Sequence, residues 1–154
     1  CDTIYSIRIK GIGISHNKLK KETKVIEIKP SENLGSIILF DKESNIHNMK
    51  LGYYDTLKVL DNLDGNKYYF KNKSNKYYEK LIRKVNEDLI IKLKFKYRTL
   101  DTKILVIKIL EDIIKKEDLE RFKIYNPTHL IFKLKHTEIK DKNLKTFIKD
   151  CKLF

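Results

Sequence analysis

From Ile7 to Phe40 the chain alternates short apolar runs with turn residues. Val25, Ile26 and Ile28 alternate around Glu27 and Lys29, Pro30 stops the run, and a second apolar run follows Gly35. Period-two alternation bounded by turn residues predicts two or three antiparallel strands over residues 4–40. Residues 41–63 are mixed, with Asn45, Asn48 and Gly52 as turn residues, and Tyr54 to Leu63 fits a strand or a short helical turn. Asp64-Gly65-Asn66 is a strong turn signal, followed by two tyrosine pairs (Tyr68, Tyr69 and Tyr77, Tyr78) set among lysines and asparagines. Leu89 to Tyr97 sets Ile91, Leu93, Phe95 and Tyr97 against Lys92, Lys94 and Lys96, which predicts a strand with one buried and one basic face.

The pattern then changes period. Ile104, Ile107, Leu110 and Ile114 recur at spacings of three and four, and Leu105, Val106, Ile109 and Ile113 widen the apolar surface. A largely buried helix over 102–116 follows, capped by Asp101 or Thr102 and ended by Lys115 and Lys116. Thr128 to Lys135, after Pro127, reads as another strand. Lys142 to Leu153 reads as a last helix with Leu144, Phe147, Ile148 and Cys151 on one face, capped by Asp141. Strands followed by strand, helix, strand, helix predict an α+β fold: a two-layer sandwich, mostly antiparallel, with helices on one face of the sheet.

A chain of 154 residues is one ordinary domain or two very small ones, and 41% apolar residues are enough for a buried core. The formal charge of +13 raises nucleic acid or an anionic membrane surface as a partner. Composition discounts that signal. Of the 34 basic residues 30 are Lys and 4 are Arg, and there is no Ala, Gln or Trp, as in a chain shaped by AT-rich codons. Arg, the residue suited to bidentate phosphate and base contacts, is scarce. Cys1 and Cys151 lie at opposite ends without Cys-x-x-Cys spacing, which argues against a disulfide framework and for a reducing compartment. No apolar run approaches the roughly 20 residues of a membrane span, so no membrane insertion is expected. No signal peptide is visible, and a start at Cys1 suits a mature product or part of something longer.

Gly11-Ile12-Gly13-Ile14-Ser15-His16-Asn17, the Val25-Ile26 run, the Pro30 stop and the run ending at Phe40 stand in an order that resembles the start of the zinc-dependent UDP-3-O-acyl-N-acetylglucosamine deacetylases. That family opens with a Gly-x-Gly-x-His-Ser-Gly turn; here Ser15 and His16 exchange the histidine and serine places. The resemblance extends loosely through Tyr97–Thr102, His129–Leu134, Glu138–Lys142 and Phe147–Leu153. It implies one domain over 1–154, similar to the second domain of ribosomal protein S5, with a Lys/Tyr-rich insertion at about 64–85. It also implies where chemistry would sit. The family's Glu-His pair, a general base and a zinc ligand, falls on Ile104 and Leu105, which can be neither. The family's remaining ligands belong to a second domain. The expectation is a pseudoenzyme without cofactor or metal.

His16, His47, His129 and His136 show no His-x-x-x-His spacing, so solvated or turn histidines are expected. Gly11-Ile12-Gly13 lacks the rest of a phosphate loop and reads as a bend between strands. Two loops are densest in basic residues: Asn17 to Lys21, with Lys18, Lys20 and Lys21, and Lys71 to Lys76, with Lys71, Lys73 and Lys76. Beside the second, Tyr68, Tyr69, Tyr77 and Tyr78 could stack on bases while the lysines meet phosphates. A solvated, codon-biased loop is the competing reading. The expected function is a structural or binding module of an organellar assembly, foremost a mitochondrial or plastid ribosome, with ribosomal RNA and neighbouring proteins as partners. The alternatives are half of a metal-dependent deacetylase and a protein-only scaffold subunit of an organellar membrane complex.

Overall fold

The computed structural model describes residues 3–8, 23–35 and 41–153, so the Gly11/Gly13 bend, His16 and the basic loop with Lys18, Lys20 and Lys21 lie outside the described residues. The chain divides into two compact units, Cys1–Asp61 and Asn62–Phe154.

In the first unit, β1 (Thr3–Ile7) and β2 (Lys24–Ile28) pair in register from Thr3 with Lys24 to Ile7 with Ile28. The pairing is parallel, not antiparallel as expected. A tight hairpin cannot join parallel strands, whereas the residues between Ile7 and Lys24 are enough for a crossover. The following helix, α1 (Lys42–Leu60), takes in Tyr54 to Leu60, and Asp41 caps it by accepting the Ser44 N–H at 2.8 Å. Two side chains of α1 hold the segment after β2. The buried Asp55 carboxylate accepts the Ser31 N–H at 2.7 Å, and the Asn48 amide donates to the Leu34 carbonyl at 3.0 Å.

In the second unit a strand-and-helix frame closes around α4 (Thr102–Lys116). Leu105, Val106, Ile107, Ile109, Leu110, Ile113 and Ile114 are all buried, so α4 is apolar over most of its circumference and packs against α2 (Asn75–Ile82) and α3 (Glu87–Tyr97). Asp101 caps it by accepting the Ile104 N–H at 2.8 Å. A two-residue strand on either side of these helices, β3 (Tyr69–Phe70) and β4 (Ile124–Tyr125), forms a second parallel pair. After β4 come α5 (Pro127–Lys135) and α6 (Lys142–Asp150), which pack together; Leu144, Phe147, Ile148 and Cys151 are buried as their spacing predicts.

Among the described residues the fold is therefore α+β with six helices and two short parallel sheets. The mostly antiparallel sandwich is corrected, because two of its strands are helices. Leu89 to Tyr97 belongs to α3. Its alternation fits period two, but Asn86 accepts the Asp88 and Leu89 N–H groups, Glu87 and Asp88 occupy the first turn, and Lys94 and Lys96 the last. Those charges match the helix dipole, and Arg98 in the left-handed region ends the helix. Thr128 to Lys135 belongs to α5, where Pro127 starts a helix rather than preceding a strand. Asn126 caps it, and the fixed φ of proline suits the first helical position.

Two polar side chains of α4 bind the loop that leads into β3 and leaves it. Glu111 Oε1 accepts the N–H groups of Asn66, Lys67 and Tyr68 at 2.6, 2.8 and 3.0 Å. Gly65, at φ 109°, makes this turn; a Cβ there would meet the Tyr68 carbonyl oxygen. Two helical turns earlier, Lys103 Nζ pairs with Asp64 Oδ1 at 2.8 Å and donates to the Lys73 carbonyl at 3.0 Å and Asn72 Oδ1 at 3.2 Å. The Asp64 backbone pairs with Phe70 in both directions at 2.9 Å. Elsewhere, Asp141 joins three helices. Its Oδ1 caps α6, and its Oδ2 lies 3.2 Å from Lys96 Nζ on α3 and 3.4 Å from Lys116 Nζ on α4.

Glu111→Ala leaves three amides without their common acceptor, and the expected loss is about 1–3 kcal/mol. It is read as a lower urea midpoint at unchanged slope, with Glu111→Gln, which keeps an acceptor oxygen, falling between. For Asp141, partial burial opposes the charged form, but the Leu144 N–H, Lys96 and Lys116 outweigh it and bring the carboxyl down to about 2. Its folded value lies below the 3.8 of an ordinary Asp, so its stabilisation is complete above that value and is lost as pH falls from there towards 2. Asp141→Asn should flatten the fall of the denaturation midpoint across that window.

Candidate anion-binding site

The tyrosine-rich segment is a structural element first. Tyr69 and Tyr78 are completely buried, so neither can stack on a base, and the expectation for these two is corrected. Both residues of β3, Tyr69 and Phe70, are buried, and the amphipathic face of α2 turns Tyr78 inward, while a reading by composition saw only a polar loop. The half-buried Tyr77 shares a hydrogen bond with Thr128 at 3.0 Å, and burial raises its phenol. The half-buried Tyr68 has the Arg121 guanidinium 5.1 Å from its ring. Lys73 Nζ lies 5.7 Å from the Tyr77 ring, and Lys76 is exposed on α2. Tyr78 lies under the Lys103 ammonium, 6.0 Å from its ring, and its hydroxyl is buried without a hydrogen-bond partner among the described residues. Burial, with Asp64 and Tyr77 adding to it, pushes that phenol well above its ordinary value.

Lys71 has a different setting. It is the first residue after β3, its N–H donates to the Tyr125 carbonyl at 2.8 Å, and its side chain enters the lining of a pocket of about 510 Å³. Lys123, Asn126, His129 and Lys133 line the same pocket, with Glu120 as the one carboxylate in its lining. The position follows from topology. The pocket lies at the carboxyl ends of two adjacent parallel strands, where chains turn away into loops and helices and leave a crevice. Asn126 ends β4 and caps α5. From that cap, His129 and Lys133 follow one turn apart on one helix face.

The electrostatics of the lining favour an anion. Lys71, Lys123, Lys133 and His129 are exposed, and Lys71 and Lys133 make no ion pair among the described residues. Glu120 reaches Lys123 at 3.8 Å with both side chains largely exposed, which is a weak pair. Burial pushes the Tyr125 phenol up to about 12, so it stays a neutral O–H and donates to the Glu120 carbonyl at 2.6 Å. The three ammonium groups thus keep most of their charge for a ligand, and the first turn of α5 adds the positive end of a helix dipole.

The positions matched to the deacetylase Glu-His pair, Ile104 and Leu105, are on α4; Leu105 is buried and Ile104 half exposed. The segment matched to a family strand, His129–Leu134, is within α5. No three His, Cys, Asp or Glu side chains gather as a metal site among the described residues. Lys123, His129 and Lys133 were not singled out by sequence as binding residues; the Tyr125-Asn126-Pro127 step from strand to helix was the signal that could have found them. No family model matches the chain, and neither a curated protein nor a solved structure matches it.

Because the Tyr78 hydroxyl is buried without a partner, Tyr78→Phe should leave stability unchanged or raise it by about 1 kcal/mol. The urea midpoint checks this, and a fall of more than that amount would mean the hydroxyl is satisfied in solution.

Proposed function

We propose that the second unit is a non-catalytic module that holds RNA phosphates, carried by a large organellar assembly, with a mitochondrial or plastid ribosome as that assembly. The observation that carries this reading is the ring of Lys71, Lys123, Lys133 and His129 set against one carboxylate, Glu120, at a concave site. Lys is a compact point charge without the planar fork of Arg. A lysine ring suits sequence-independent contact with phosphate oxygens and not base reading. The net charge of +13 adds a long-range attraction for a polyanion. The tyrosine contribution contracts to Tyr68 and Tyr77, since Tyr69 and Tyr78 are inside the core.

Native purification followed by sedimentation, before and after RNase, tests the assembly. Co-sedimentation with ribosomal RNA that RNase abolishes supports the reading; a protein complex indifferent to RNase favours a protein-only scaffold. The site itself is tested by binding to single-stranded RNA over a salt series. Each phosphate contact on a single strand contributes about 0.7 to the slope of log affinity against log salt. Replacing Lys71, Lys123 and Lys133 together by Gln should lower that slope by roughly 2, with Tyr78→Phe as the silent control. An unchanged slope would sink this site.

A further inference from the structure

Phe95 and Leu100 are 80% and 87% exposed, the two most exposed large apolar side chains among the described residues. They are not scattered. With Ile91, which is 52% exposed, they wall a cavity of about 420 Å³ at the end of α3, and Lys94, Arg98 and Thr99 complete its lining. Ile91 and Phe95 are one helical turn apart. Arg98 ends α3 in the left-handed region at φ 48°, its N–H bonded to the Phe95 carbonyl at 3.2 Å, and this sharp exit sets Leu100 beside the helix rather than along it. The arrangement leaves apolar surface in water with no return to this unit's own core, since Leu93 on the opposite side of α3 supplies the buried contact. A grouped, concave apolar patch with a charged rim marks an interaction site.

We infer that this face docks an amphipathic helix of a partner protein that presents apolar side chains to Ile91, Phe95 and Leu100 and carboxylates to Lys94 and Arg98. Charge complementarity selects that occupant. The lining holds two cations and no carboxylate. A second copy docked with this cavity on the twofold axis would bring four cations into one interface, with no carboxylate of either lining to meet them. A bilayer takes up a convex apolar ridge, whereas a cavity between three side chains accepts inserted knobs, as helix-in-groove recognition requires. The site is separate from the lysine-lined pocket and shares no residue with it.

The probe is a synthetic helical peptide with leucines along one face and glutamates on both flanks, titrated into the full chain and read by fluorescence anisotropy. Three comparisons decide the matter. Phe95→Glu with Leu100→Glu should abolish binding, and the exposure of both side chains predicts an unchanged circular dichroism spectrum and urea midpoint. The same peptide with lysines in place of glutamates should bind roughly tenfold more weakly. Lys71→Gln should not alter peptide binding, so a failed RNA site and a failed docking face are distinguishable. Equal binding of both peptides, absence of binding, or preference for vesicles of phosphatidylcholine and phosphatidylserine over the acidic peptide would each overturn the inference.

Discussion

The carboxylate of Glu111 under three consecutive amides is the contact on which the second unit depends. A loop that carries Asp64, Gly65 and Asn66 has no ladder partners for the Asn66, Lys67 and Tyr68 N–H groups, and a backbone donor left unmatched near a core is costly. One side chain from the buried helix meets all three. With Lys103 holding the far side of β3 through Asp64, Asn72 and Lys73, the strand is fixed to α4 at both ends. Only then can two residues, Tyr69 and Phe70, serve as a strand. Such a short pair would not persist through its own hydrogen bonds. The lysine-lined pocket is downstream of this arrangement, because Lys71 takes its place from the end of β3 and Asn126 from the end of β4.

The same constraint explains why the tyrosines are less available than their surroundings suggested. Tyrosine brings a large apolar body and one polar tip, and both destinations occur in one short segment. Tyr69 and Tyr78 give their bodies to the core; Tyr77 does so in part and spends its tip on Thr128. Tyr68 remains at the margin beside Arg121. Aromatic residues among lysines are a sign of nucleic-acid contact only when the rings face outward, and here β3 takes Tyr69 into the core and the amphipathic period of α2 takes Tyr78.

Sequence pattern was a good guide where its signals agreed. In α4 and α6 the apolar spacing, the capping Asp101 and Asp141 and the terminal lysines all agree, and both helices form within the expected limits. It misled where two signals competed. Ile91, Leu93, Phe95 and Tyr97 alternate like a strand, but Asn86, Glu87 and Asp88 are helix-start chemistry, and the cap decided the outcome. Asn126-Pro127 is likewise a start signal that the alternation of the following residues concealed. The parallel pairing of β1 with β2 and of β3 with β4 had no local trace, since strand direction is set by what the intervening chain must cross. The pocket was invisible for the same reason: Lys71 and Lys133 are distant in sequence and are brought together by a strand pair.

Lysine abundance in a chain of this composition says little about function until the lysines that serve the fold are set aside. Lys103 neutralises Asp64 beneath the core. Lys108 donates to the Tyr97 carbonyl at 3.0 Å, meeting the end of α3, and Lys135 donates to the Lys149 and Cys151 carbonyls, meeting the end of α6. Lys96 and Lys116 converge on Asp141. These five are capping and pairing groups, with geometry a codon bias would not produce by itself but a fold would retain. An ammonium committed to a carbonyl or carboxylate contributes less to an incoming phosphate, because that contact must first be weakened. The lysines without such duties carry the usable field, and Lys71 and Lys133 are two of them, facing one cavity. Net charge describes the whole chain, but the distribution of partners among its lysines is what separates a binding surface from a soluble one.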